Sequence, residues 1–370
     1  MPVLHAAANI NTYELIQKLN SEIELGNVSV KYHAEHPNLA LYCYTKQCVY
    51  ERNWNEINTL ARGLIIDVEL MQIIAYNYKK FFNVSENNTL IPDLSFEAYE
   101  KLDGSLIAVW YYRDAWYCSS KGSFESDQAQ WAKQWLQANK IESNLTPGVT
   151  YLFEAIYPEN KIVIPYDYEG LVLHGIYAQN GEEANYDCLA LNAWRLGVKL
   201  VEKYTFSSIS EMLTKAKTLP FTEEGWVLRF ENGYRLKVKG EEYKRIHAAV
   251  SNLTPLSVWE AFSLGKAEDM RRDLPEEFWP EFDMIREILA IKTLKLLADI
   301  ETMSEKYIHF SDKELGLQLK TLPELVQKCI FDVRKNPKFM FPSSKTWSTV
   351  LLGLLKIFPA KDAGFLPVSI

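Results

Sequence analysis

The chain has little of what would place a protein outside the cell or in a membrane. Only five of its 370 residues are cysteine. Cys43, Cys48, Cys118, Cys188 and Cys329 include no C-x-x-C pair, so neither a disulfide framework nor a zinc site is expected. Met1 to Asn20 lacks a basic stretch followed by an apolar core, which removes a secretory leader. No run approaches the roughly 20 apolar residues needed to span a bilayer. The most apolar late segment, Val350 to Phe358, is short and interrupted by Lys356. Positive charge is also not in excess: the net charge of −8 argues against coating or packaging nucleic acid, though a local basic groove stays open. No repeat or low-complexity tract is evident. The expectation is a soluble cytoplasmic protein with no membrane partner.

What is present is the material of folded domains, 48% hydrophobic and 24% charged residues with abundant Tyr, Trp and Phe. From about residue 30 to 245 the texture is short strand-like runs: Leu64 to Val68, Ser105 to Tyr112, Ala115 to Ser119, Thr150 to Tyr157, Leu171 to Tyr177, Gly225 to Phe230 and Tyr234 to Lys239. Asn180-Gly181 and Asn232-Gly233 mark turns, the second joining two alternating runs into a hairpin. Asp127 to Lys140 and Ile209 to Lys217 read as helices. After Ser251-Asn-Leu-Thr-Pro255 the pattern turns helical, with one long helix over Glu281 to Lys306 and another within Asp312 to Lys338, broken near Leu322-Pro323. The fold class expected is α+β: an antiparallel-sheet domain over 1–248, then an all-helical C-terminal domain over 249–370.

Chemistry concentrates at Lys101-Leu-Asp-Gly-Ser105. A lysine that attacks the α-phosphate of a nucleoside triphosphate needs to be deprotonated and aimed in line with the leaving group, with cations nearby to neutralise phosphate charge. Gly104 allows a tight turn close to a nucleotide, and Asp103 could orient the lysine or a ribose. The plainer reading of the same string is a solvated surface turn. Downstream, Glu154 alternates with the apolar neighbours Phe153 and Ala155, so it could accept hydrogen bonds from ribose hydroxyls. Glu224 stands beside Gly225 at the start of a strand. In Arg235-Leu-Lys-Val-Lys239, both Lys237 and Lys239 project from one face and could grip phosphates together. Each has a bland alternative: an edge glutamate, a hairpin, a solvated charged face.

Taken in order, these residues resemble the covalent nucleotidyltransferase superfamily of ligases and RNA-capping enzymes. Lys101 to Ser105 looks like its motif I, Phe153-Glu154 like motif III, Glu224 to Val227 like motif IV and Lys237-Val-Lys239 like motif V. The serine after K-x-D-G suggests RNA ligases, since DNA ligases commonly place an arginine one residue further on. Arg62-Gly63, Lys80-Phe-Phe-Asn83, Ser120-Lys-Gly-Ser123 and Asn160-Lys-Ile-Val163 resemble the phage-type RNA ligase 1 family, which seals breaks in tRNA.

That resemblance implies an ATP-dependent RNA ligase with three steps. Lys101 takes AMP from ATP, AMP passes to the 5′-phosphate of an RNA end, and the 3′-hydroxyl of another end displaces AMP. It implies phosphate contacts for Arg62, Lys80, Lys121, Lys237 and Lys239, adenine stacking for Phe82, and ribose binding for Glu154. Glu224 would hold the lysine or a water on Mg2+ (or Mn2+). Asp103 and Gly104 belong to the nucleotide site. Partners would be RNA ends, including broken tRNA, and a polynucleotide kinase/phosphatase acting upstream; for a viral chain the compartment would be the host-cell cytoplasm. For Phe82 a core aromatic is the competing reading. The cations near Lys101 are expected to depress its pKa. A DNA ligase or capping guanylyltransferase, or a non-catalytic RNA-binding relative, remain the alternatives.

Overall fold

In a computed structural model, the described residues are 3–84, 86, 89–251, 253–274, 278–322, 326–327 and 330–331. The chain divides into two compact units, Met1–Lys244 and Arg245–Ile370.

The first unit is mixed α/β, built on three sheets whose pairings are almost all antiparallel. One holds seven strands, in the order Val3–Leu4, Glu182–Glu183, Gly170–Tyr177, Thr150–Ile156, Ser105–Tyr112, Ala115–Ser120, with Lys199–Leu200 parallel to Gly170–Tyr177. A second runs Lys203–Tyr204, Phe96–Glu100, Gly225–Phe230, Arg235–Lys239, Phe82–Asn83. The third is Val28–Tyr32, Leu39–Tyr44, Arg62–Asp67, Gln72–Ala75.

Alternation dictates which faces are buried. In Arg235–Lys239, Leu236 and Val238 enter a core with Trp226, Leu228 and Phe230, leaving Arg235, Lys237 and Lys239 on the opposite face. In Thr150–Ile156, Phe153 and Ala155 pack against Ala129, Ala132 and Leu136 of the helix Asp127–Ala138. That helix begins where the Ser126 hydroxyl accepts from the Ala129 N–H.

The strands expected from alternation lie within two residues of the observed ones at either end, and Asn232-Gly233 closes its hairpin with Gly233 at φ +81°. Periodicity did not reveal the helix Thr12–Glu24, the strands Val28–Tyr32, Leu39–Tyr44 and Phe96–Glu100, or the helix Tyr186–Leu196.

The second unit is helical among its described residues, with Pro255–Ser263, Ala267–Arg272, Trp279–Lys306 and Asp312–Gln318. Thr254 with Ser257, and Ser311 with Glu314, form capping boxes. Within Asp312 to Lys338, where a break near Leu322-Pro323 is expected, the helix Asp312–Gln318 passes into a 3-10 turn, Leu319–Thr321, just before that point. Most of its expected remainder, together with Cys329 and Val350 to Phe358, lies outside the described residues. Among the described residues, no helix is long and apolar enough to cross a membrane.

Candidate active site around Lys101

Lys101 directly follows the strand Phe96–Glu100, whose neighbour in the sheet is Gly225–Phe230. Its N–H donates to the Gly225 carbonyl at 2.9 Å. The next residue, Leu102, is a buried peg packed with Ile156, Val172 and Val201. Together these fix where the ammonium group points. Lys101 Nζ lies 2.8 Å from Glu224 Oε1, and Lys239 Nζ meets the same oxygen at 2.9 Å. The pairing of Gly225 with Lys239 across the hairpin creates that convergence. Gly225 is at φ +131°, and a Cβ there would collide with the Val238 carbonyl oxygen, so the hairpin closes this tightly only with glycine.

Gly104 is also demanded by packing. A Cβ on it would lie 2.5 Å from the Ala155 carbonyl oxygen, so the glycine admits the neighbouring strand Thr150–Ile156. The register places Glu154 opposite Leu106, and Glu154 Oε1 accepts from the Gly104 N–H at 3.2 Å. Its other oxygen is 3.6 Å from His174 Nε2, and His174 stacks against Tyr78.

Asp103 departs from its expected place. Its Oδ2 accepts from the N–H groups of Val163 and Ile164 at 2.8 and 3.0 Å, and Oδ1 accepts from the Tyr243 hydroxyl at 2.6 Å. The carboxylate is buried, with both oxygens engaged inside the protein. It braces the loop under Lys101 and presents no open face to a ribose.

The electrostatics also correct the sequence reading. Burial works against a charge on Lys101, but the carboxylates of Glu224, Glu154 and Asp103 outweigh it and hold the ammonium above the usual lysine range. Lys237 is depressed instead: burial, with Lys80, Lys101 and Lys239 around it, brings it down to about 7. Glu224 is drawn the opposite way, its burial outweighed by Lys101 and Lys239, which keep it below the usual carboxylate range.

The remaining expected residues form an adjoining cluster. Lys80 Nζ sits over the rings of Tyr44, Trp54 and Phe82 at 5.8, 5.4 and 5.0 Å from their centroids. Lys121 Nζ is 5.5 Å from the Tyr44 ring, and Arg62 donates to the Tyr78 carbonyl at 3.4 Å while lying over Phe81. Burial, with Arg62 and Lys121 adding to it, lowers the Lys80 pKa. Phe82 is half-buried, edge-on to Trp54, with the Lys80 ammonium near its ring. Arg229 and Arg235, which would count toward a basic cleft by position, are instead paired with the buried Glu183.

Sequence reasoning missed His174, Tyr44, Trp54, Tyr78 and Tyr243. No motif carries them; only the register of Glu154 opposite Val172 would have put His174 on the same face as a diagonal neighbour.

A divalent cation can be tested against these donors. Glu224 Oε2 is buried and has no hydrogen-bond partner, while Lys101 and Lys239 both meet the other oxygen, Oε1. Among the described residues no group of three or more His, Cys, Asp or Glu could hold a metal. This set suits magnesium held mainly by water and phosphate oxygens, with Glu224 supplying a carboxylate oxygen that no protein group engages.

Residues 60–243 match the RNA ligase family, of the phage T4 type. Through that segment the chain belongs to the RNA ligase family. All the sequence-expected site residues fall within it. A protein of Autographa californica nuclear polyhedrosis virus named as a bifunctional polynucleotide kinase/RNA ligase is 25% identical over 249 residues, which cover 60% of this chain and 35% of that protein. The chain thus spans about a third of that relative's length. A protein of Thermovibrio ammonificans named as an RNA ligase is 24% identical over 271 residues, 66% of this chain and 69% of its own length. Among solved structures, an archaeal ATP-dependent RNA ligase aligns at 13% identity and a TM-score of 0.44, covering 74% of this chain and 77% of the other.

Proposed function

We propose that this RNA ligase family protein is an ATP-dependent RNA ligase that joins 5′-phosphate and 3′-hydroxyl RNA ends. The observation that carries the reading is the convergence of Lys101 and Lys239 on Glu224, within a segment that matches the family.

In the proposed reaction, Lys101 Nζ gives up its proton and attacks the α-phosphorus of ATP. A P–N bond forms, the bond to the β-phosphate oxygen breaks, and pyrophosphate leaves. Because the carboxylates hold Lys101 protonated, the proton has to be lost as the triphosphate binds; Glu224 is the adjacent carboxylate positioned to influence that loss. Lys237 and Lys239 lie where they can neutralise phosphate charge, and Arg62, Lys80 and Lys121 extend that charge outward. Glu154 faces the space beside Gly104, where a ribose hydroxyl could donate to it, and Phe82 is assigned to the adenine. A bound Mg2+ or Mn2+ would supply further neutralisation of phosphate charge. AMP then passes to an RNA 5′-phosphate, and the 3′-hydroxyl of the second end displaces it.

The wider assignment is repair of broken tRNA or other RNA in the cytoplasm, downstream of a polynucleotide kinase/phosphatase; the viral relative is named for a polynucleotide kinase together with an RNA ligase. The domains are assigned as 1–248 for adenylyl transfer and 249–370, all helical, for recognition of the RNA.

The test is incubation with radiolabelled ATP or GTP, then denaturing electrophoresis. ATP should label the wild-type chain, and chelating the divalent metal should remove the label. Lys101→Ala should take none while remaining folded; a labelled Lys101→Ala protein would reject the assignment. Sealing of single-stranded RNA ends in preference to nicked DNA separates this reading from a DNA ligase.

A further inference from the structure

The row of cations continues past the proposed nucleotide residues. Lys101 and Lys239 meet on Glu224, Lys237 lies within electrostatic reach of both and of Lys80, and Lys80 rests against Tyr44, Trp54 and Phe82. At Lys80 the surface opens into a cavity of about 800 Å³ whose walls include Trp54, Lys79, Phe81, Phe82 and Tyr234. Lys101, Glu154, Glu224, Lys237 and Lys239 do not line it, and Lys80 and Phe82 form its border with the proposed nucleotide site. Its walls pair half-buried aromatic rings with an exposed lysine, Lys79. Single-stranded nucleic acid is held by that combination, with ring faces for bases and cations for the backbone.

Reaction geometry says which strand belongs there, on the ligase reading above. Lys101 approaches the α-phosphorus opposite the departing pyrophosphate. In the second step the RNA 5′-phosphate oxygen forms a new P–O bond to that phosphorus as the P–N bond breaks. The electron pair returns to Lys101 Nζ, which takes up a proton. The incoming oxygen must therefore arrive from the side that pyrophosphate vacated. We propose that the cavity beyond Lys80 docks the 5′-terminal nucleotides of the phosphate-bearing RNA strand, with Trp54 as the stacking platform for a base and Lys79 as a backbone-phosphate contact.

The full-length chain tests this as wild type, Trp54→Ala, Trp54→Phe and Lys79→Ala. Two half-reactions are read apart: labelling of the protein by ATP, and transfer of AMP from labelled protein to a short single-stranded 5′-phosphorylated oligoribonucleotide. Lys79→Ala should label like wild type, while in both alanine variants the RNA concentration for half-maximal transfer rises roughly tenfold. Trp54→Phe should recover most of the loss. With an oligoribonucleotide abasic at its 5′ end, the difference between wild type and Trp54→Ala should shrink. Unchanged transfer in both alanine variants overturns the proposal, and so does labelling of Lys79→Ala that falls in parallel with its transfer, which would give the cavity to ATP. Lys79→Ala, at an exposed position, keeps the test decisive if Trp54→Ala does not fold. A wild-type chain that takes no label from ATP fails the ligase reading itself, and the docking site with it.

Discussion

Crowding Lys80, Lys101, Lys237 and Lys239 into one region sets stability against ligand binding, and the conflict falls on Lys237. Its pKa of about 7 compares with an ordinary value of 10.5. Between those values the unfolded lysine holds a proton that the folded one does not, so stability drops as pH falls through that window, and the full cost persists below about 7. Lys237→Met should therefore raise the stability of the ligand-free chain by on the order of 1 kcal/mol at neutral pH, with the gain vanishing toward pH 10.5. Urea unfolding at two pH values measures it. Phosphates beside Lys237 would restore its proton, so ATP binding near pH 8 should take up protons, and Lys237→Met should abolish that uptake. Calorimetry in buffers of different ionisation enthalpy reads the difference. Lys101 itself was misjudged from sequence because its lysine neighbours were visible there while the distances to Glu224, Glu154 and Asp103 were not.

At the scale of elements, the hairpin of Gly225–Phe230 and Arg235–Lys239 was legible, since alternation and Asn232-Gly233 specify both strands and turn. The strand Phe96–Glu100 was not: Phe-Glu-Ala-Tyr-Glu carries two glutamates and an alanine, which do not favour strands on their own, and it is a strand because its neighbours pair with it. Yet that strand is what delivers Lys101 to Glu224. Gly225→Ala should destabilise the chain by about 3 kcal/mol, through its left-handed backbone and the clash with the Val238 carbonyl, and should reduce adduct formation although no charged group is removed. Denaturant unfolding and ATP labelling on one preparation check both effects. The loop glycine, Gly104, was singled out from sequence, but its packing role was not legible there, because the strand that crowds it lies fifty residues downstream.

For the whole molecule, the change of texture near Pro255 separates a sheet-rich part from a helical one, and the described helices follow it. A chain ending after Ser251 keeps Tyr243, and with it the bracing of Asp103. It should still form the ATP adduct while losing discrimination among broken tRNAs, which labelling and a panel of cleaved tRNAs would measure. The sequence by itself determined the inventory: a K-x-D-G-S lysine, its ordered companions, the alternation that puts Lys237 and Lys239 on one face, and the family these residues resemble. Those follow from residue order and from the two-residue period of a strand. The tertiary structure decided what each group is in place: Asp103 a brace, Lys101 held protonated by carboxylates, Lys237 stripped toward neutrality, Arg235 bound to Glu183. Protonation and pairing depend on burial and on distances of a few ångströms, and only the packing of sheets sets those.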